Sequence, residues 1–169
     1  NEPNIHFWVG RPKDTTYFQL YERAARAIKR VDGRLRVGGP STAQAAWADR
    51  FIKWCVDHDV PIDFFSTHVY ANDTAKDIFG TNEAISRNEM VCRAARKVHD
   101  QVKASPRPDL PIIWSEYNAS WKNEPEITDS FENRGPIPIA EQLAIDGRLN
   151  LGLPVPPIHK GLRHGFQHR

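Results

Sequence analysis

Pro61-Ile62-Asp63-Phe64-Phe65-Ser66-Thr67-His68-Val69-Tyr70 opens on a proline, passes through an apolar centre and leaves through polar residues. Pro111-Ile112-Ile113-Trp114-Ser115-Glu116-Tyr117-Asn118 has the same form. Each stretch reads as a short buried strand that ends at a site. Leu35-Arg36-Val37-Gly38-Gly39 reads as a third strand, with glycines where it leaves for a loop. Between them lie segments of helical period. Phe18, Tyr21, Ala24, Ala25, Ile28 and Val31 mark one face of a helix over 17–31, with Thr15 or Thr16 as its cap. Ser41 followed by Gln44 resembles a capping box. Trp47, Phe51, Trp54 and Cys55 then continue at helical spacing to about Asp57. A loop is expected from Ala71 to about Gly80. A third helix is expected from near Ala84 to Lys103, on the stripe Val91, Ala94, Ala95, Val98 and Val102, and Pro106-Arg107-Pro108 ends it. Short apolar strands alternating with helices predict an α/β fold with a parallel sheet. In such folds chemistry gathers at the carboxyl ends of the strands.

Composition narrows the function. The chain has 169 residues, enough for one domain or a piece of a larger one. Its 23 basic and 21 acidic residues nearly cancel to +2, which argues against a nucleic-acid partner. No apolar run approaches the roughly 20 residues that span a bilayer, so no membrane partner is expected. Cys55 and Cys92 both fall in expected helices and lack zinc-ligand spacing, so no metal is expected.

Two carboxylates remain. Glu116 directly follows an apolar strand, where a charge must be hydrogen-bonded or sit in a cleft. Glu2 lies in Asn1-Glu2-Pro3-Asn4, which would follow a strand the sequence does not contain. Glycoside hydrolysis needs two such groups on one sugar bond, one to donate a proton and one to attack or to activate water. Residue by residue, other readings stay open. Tyr70 is either a packed strand-end aromatic or a site residue. His68 is either a core histidine bonded to a backbone carbonyl or part of a pocket. Asn118 and Trp121 either line the pocket or shape the loop. Phe7 and Trp8 form either a sugar platform or packing.

As a set, Asn1-Glu2-Pro3-Asn4 with Phe7-Trp8, Leu35-Arg36-Val37-Gly38-Gly39-Pro40, Asp63-Phe64-Phe65-Ser66-Thr67-His68-Val69-Tyr70 and Trp114-Ser115-Glu116-Tyr117-Asn118 resemble glycoside hydrolase family 39. That family contains β-xylosidases and α-L-iduronidases. The resemblance covers about Asn1 to Glu124. It implies part of a (β/α)8 TIM barrel, from about the end of strand 4 to strand 7. It implies a retaining, double-displacement hydrolase of terminal β-xylosidic bonds, with Glu2 as acid/base and Glu116 as nucleophile. Asn1 would bond the sugar 2-hydroxyl, Tyr70 would orient the nucleophile, and His68 would line the pocket with Asn118 and Trp121. The implied partner is a small carbohydrate, a xyloside or xylo-oligosaccharide, and the two-carboxylate chemistry needs no cofactor. An α-L-iduronidase-like enzyme is the sister alternative, although no Arg or Lys for a sugar carboxylate can be placed. A catalytically inactive carbohydrate-binding remnant is the other.

The sequence departs from that family in two ways. A full barrel typically takes about 250 residues, so strands 1–3 are expected to be missing. Such a piece would expose sheet edges and the apolar inner face of its strands, and self-association through them is expected. A partial barrel domain is therefore expected over 1–126. An atypical Pro/Gly/His-containing tail is expected over 127–169, with a short helix near Ile139 to Leu149. A shifted reading frame after about Asp129 is one expected origin of that tail. His159, His164 and His168 lie in it at ligand-compatible gaps, but no cysteine or carboxylate cluster joins them.

Overall fold

The computed structural model describes residues 1–118 and 120–122. The expected boundary near Ile127, the helix near Ile139 and the tail histidines lie outside the described residues. The element order is α1 (Lys13–Val31), β1 (Gly38–Thr42), α2 (Ala48–Asp57), β2 (Phe64–Tyr70), α3 (Ala75–Phe79), α4 (Arg87–Lys103) and β3 (Ile112–Asn118). The three strands form a parallel sheet in the order β1-β2-β3. That is the βαβαβ arrangement the alternation predicts. Among the described residues no helix is long and apolar enough to cross a membrane.

The helices form one layer against the sheet: α1 packs on β1 and α2, and α4 packs on α2 and β2. Phe18 and Tyr21 of α1 meet Phe51 of α2 ring to ring, at centroid distances of 5.3 and 4.9 Å. Phe65, Val69, Ile112 and Trp114 complete that core from the sheet.

Several local expectations are corrected. The helix stripe of α1 is only half used: Phe18, Tyr21 and Ala25 are buried, while Ala24, Ile28 and Val31 are exposed. Thr15 and Thr16 lie inside α1, which starts after Pro12, and Thr16 Oγ1 donates to Pro12 O at 2.7 Å. Pro12 is the N-cap, and its ring offers no acceptor, so α1 starts without a side-chain bond from its cap residue. The first strand begins at Gly38 rather than Leu35. The glycines open it because a Cβ at Gly38 would collide with the Phe64 carbonyl, and one at Gly39 would meet the Tyr17 hydroxyl. Ser41 belongs to β1 and caps nothing, and α2 starts after Trp47, which is left-handed with φ 67°. The expected loop over 71–80 contains α3, capped by Thr74 and closed by Gly80 at φ 71°. The third helix starts later than expected, after Ser86, whose hydroxyl accepts the Glu89 N–H. The inner face of β1 and β2 is apolar only in part: Phe64 is followed on it by Ser66, whose hydroxyl meets that of Ser41 at 2.9 Å.

The sheet carries two irregularities at one level. Pro40 pairs with Ser66 and Thr42 with Thr67, so Ser41 is an extra residue in β1. On the other side Trp114 pairs with Thr67 and Glu116 with His68, so Ser115 is an extra residue in β3. Side chains alternate along a strand, and one inserted residue flips every side chain beyond it. Glu116 thereby shares its face with His68. In regular register it would lie opposite Val69, on the helix-facing side.

Candidate active site

Glu2 is brought to the sheet by its neighbours. Asn4 clamps the residue after β1 twice: its Nδ2 donates to Ala43 O at 3.0 Å, and its Oδ1 accepts the Ala43 N–H at 2.9 Å. The Glu2 N–H donates to Ser41 O at 2.8 Å. Glu2 itself is left-handed, with φ 43°. A non-glycine residue in that region costs energy and persists only where its surroundings enforce it. Here the Asn4 clamp and the Ser41 contact do so.

The two glutamates meet over His68. His68 Nδ1 lies 3.1 Å from Glu2 Oε1 and 3.5 Å from Glu116 Oε2. Which partner donates in the Glu2 contact depends on the histidine tautomer. His68 is 1% exposed, the Glu2 side chain 13% and the Glu116 side chain 41%. One atom from each of the three lies within 4.8 Å of the others, close enough for them to hold a cation as well. Tyr70 OH donates to Glu116 Oε2 at 2.8 Å. Burial, the bond to Glu116 and the surrounding negative charges push the Tyr70 phenol up to about 12. It therefore stays a donor throughout the neutral range.

These groups stand at an open cavity of about 590 Å³ whose wall includes Asn1, Glu2, Tyr70, Glu116 and Trp121. His68 sits behind this wall, beneath the carboxylates. Asn118 ends β3 opposite Tyr70, is exposed, and lies outside the cavity wall. Sequence reading had not placed Asp73, Asn72 or Asp77 at the site, and had read Gln44 as part of a capping box; all four also line the cavity. Asp73 Oδ2 accepts the Tyr70 N–H at 2.9 Å, holding the turn that carries the phenol. Burial, with Asp77 and Glu2 nearby, pushes the Asp73 carboxyl up to about 6. A polar run such as Asn72-Asp73-Thr74 after a strand signals a turn. It does not signal which side chain faces a cavity.

The chain was compared with known proteins. It is 39% identical over 136 residues to a β-xylosidase of Caldicellulosiruptor saccharolyticus, covering 79% of this chain and 26% of that protein. It is 33% identical over 140 residues to a β-xylosidase of Geobacillus stearothermophilus, covering 79% of this chain and 28% of that protein. Among solved structures, a GH39 β-xylosidase from Caulobacter crescentus superposes with a TM-score of 0.66 at 33% identity, covering 89% of this chain and 29% of that one. The chain thus spans under a third of the length of these relatives. The model of glycosyl hydrolases family 39 matches residues 1–133, so the chain belongs to that family.

Proposed function

We propose that this chain carries the two catalytic carboxylates of a retaining β-xylosidase, with β1, β2 and β3 as strands 5, 6 and 7 of a (β/α)8 barrel. The carrying observation is the carboxylate separation. Oxygens of Glu2 and Glu116 within 4.8 Å of one another fit the roughly 5–5.5 Å of retaining enzymes rather than the roughly 6.5–9.5 Å of inverting ones. In the first step Glu116 attacks the anomeric carbon while Glu2 donates its proton to the departing oxygen. In the second, Glu2 takes a proton from water, which displaces Glu116 from the sugar. Tyr70 holds the Glu116 oxygen by its 2.8 Å bond. His68 joins the two carboxylates, and Asn1, on the cavity wall beside Glu2, takes the sugar 2-hydroxyl.

A neutral sugar fits the wall better than a uronate. Among the described residues lining the cavity are four carboxylates, Glu2, Asp73, Asp77 and Glu116, and no Lys or Arg. A substrate carboxylate there would be repelled. The β-xylosidase names of the relatives point the same way.

The test is a covalent trap. The full chain is incubated with 2,4-dinitrophenyl 2-deoxy-2-fluoro-β-xyloside, digested and analysed by mass spectrometry. A fluoroxylosyl adduct on Glu116, absent in Glu116→Gln, is the expected result. Turnover of an aryl xyloside without any adduct, or an adduct elsewhere, would overturn the assignment. Sugar binding that Glu116→Gln leaves untouched, with no turnover in either chain, would indicate a binding remnant instead.

A further inference from the structure

One imidazole and two carboxylates converge from three distant parts of the chain. His68 Nδ1 lies 3.1 Å from Glu2 Oε1 and 3.5 Å from Glu116 Oε2, and one oxygen of each glutamate lies within 4.8 Å of the other. Bonds of about 2.0–2.1 Å in a tetrahedral zinc centre put neighbouring ligand atoms about 3.3 Å apart. Two edges of the triangle are close to that length. The third has to shorten, and the Glu116 side chain, 41% exposed, has room to move. His68 is buried and fixed within β2. With its proton on Nε2, Nδ1 presents a lone pair to two groups that, when ionised, only accept. Three acceptors then face one another, and a cation between them relieves the repulsion. The Tyr70 OH bond to Glu116 Oε2, at 2.8 Å, is the kind of outer contact that orients a metal-binding carboxylate. Glu2 and Glu116 border the open cavity, so a fourth position faces solvent. A set that includes an imidazole suits Zn2+ better than Mg2+ or Ca2+, which take oxygen ligands. No cysteine enters this set, so cysteine spacing has no bearing on it.

We propose that Glu2, His68 and Glu116 bind a zinc ion, which switches the site off by engaging both carboxylates at once. Zinc binding stands on the geometry alone, whereas the inhibition rests on the glycosidase reading above. In that reading Glu2 must hold a proton for the departing oxygen, and Glu116 must attack as an anion. A zinc-bound Glu2 has no proton to give, and a zinc-bound Glu116 has its charge neutralised by the metal. The ion is an inhibitor of the two-carboxylate chemistry and takes no part in it.

Calorimetric titration of the full chain, stripped with EDTA and dialysed, tests the site with ZnCl2 as the probe. Zinc is expected to bind in the micromolar range, and MgCl2 is expected not to bind. Glu116→Gln and His68→Asn should each weaken zinc by at least about tenfold. Glu116 is partly exposed, so its variant reads the site even where His68→Asn fails to fold. The rival ligands are His159, His164 and His168. Replacing all three with Asn should leave zinc affinity within about twofold. Absence of zinc binding, affinity unchanged by Glu116→Gln, or binding lost with the three tail histidines overturns the site. A second arm repeats the fluoroxyloside labelling with saturating zinc. Loss of the Glu116 adduct, restored by EDTA, is expected. Undiminished labelling overturns the inhibition. No labelling with or without zinc overturns the glycosidase reading and the inhibition with it, and leaves the zinc site standing.

Discussion

Along β2, Phe65, Thr67 and Val69 face the helices, whereas Ser66, His68 and Tyr70 face the cavity side. Phe65 and Val69 belong to the continuous apolar core, where each touches many neighbours and no single contact decides its place. Thr67 joins that side through its hydroxyl, which donates to Thr42 O at 2.9 Å. On the opposite face the polar side chains have named partners: Ser41 for Ser66, Glu2 for His68 with Glu116 3.5 Å away, and Glu116 for Tyr70. The helix side is held by summed burial and the cavity side by directed hydrogen bonds. Substitutions on the two faces should therefore fail in different assays.

The largest expected effect lies on the helix side. Phe65→Ala should lower unfolding stability by about 3–5 kcal/mol, read from the urea midpoint. A loss below about 1 kcal/mol would break the comparison, because it would mean that the core is loosely packed. Across the strand, Tyr70→Phe removes one O–H from a charged acceptor. Turnover of an aryl xyloside should fall by about 10–150-fold, the equivalent of about 1.5–3 kcal/mol, with stability far less changed than in Phe65→Ala.

Asp73 connects the two behaviours. Its carboxyl is raised to about 6 in the fold, from the ordinary 3.8. The folded state therefore holds that proton more tightly than the unfolded chain. The stability this contributes is fully present below about pH 4 and is lost as pH rises through about 6, a change on the order of 3 kcal/mol. Asp73→Asn keeps an acceptor for the Tyr70 N–H and should lack this pH-dependent loss. Parallel pH series of unfolding for the two chains would show the curves diverging over that interval. The smallest effect is expected away from both faces. Ser86→Ala removes the cap of α4 and should cost about 1 kcal/mol without changing turnover.

The alternation of helices and strands was legible in the sequence because apolar periodicity is a local property. The Glu116 and His68 strand ends stood out for the same reason. What stayed hidden was non-local or used a short polar side chain. Asn4 clamps Ala43, and Asn72 clamps the segment around Trp121, both across long stretches of chain. No periodicity announces such bonds. The helix α3 was missed although Thr74, Asp77 and Gly80 carry its start and stop signals, because five residues give too short a stripe. On α1 the apolar spacing misled in the other direction. It marked Ala24, Ile28 and Val31 as buried, whereas among the described residues nothing covers them enough to do so.

The extra residues Ser41 and Ser115 have a consequence for how this segment tolerates change. Both neighbours of β2 step out of phase at the same level, around Thr67. Substituting either serine alters one side chain. Deleting Ser115 would make Trp114 and Glu116 consecutive, and regular pairing would then keep Glu116 opposite His68 and Tyr117 opposite Val69. Ironing out the bulge with Ser115 still present would instead turn Glu116 toward the helices. The bulge is thus the device by which a strand one residue too long still delivers its carboxylate to the cavity face.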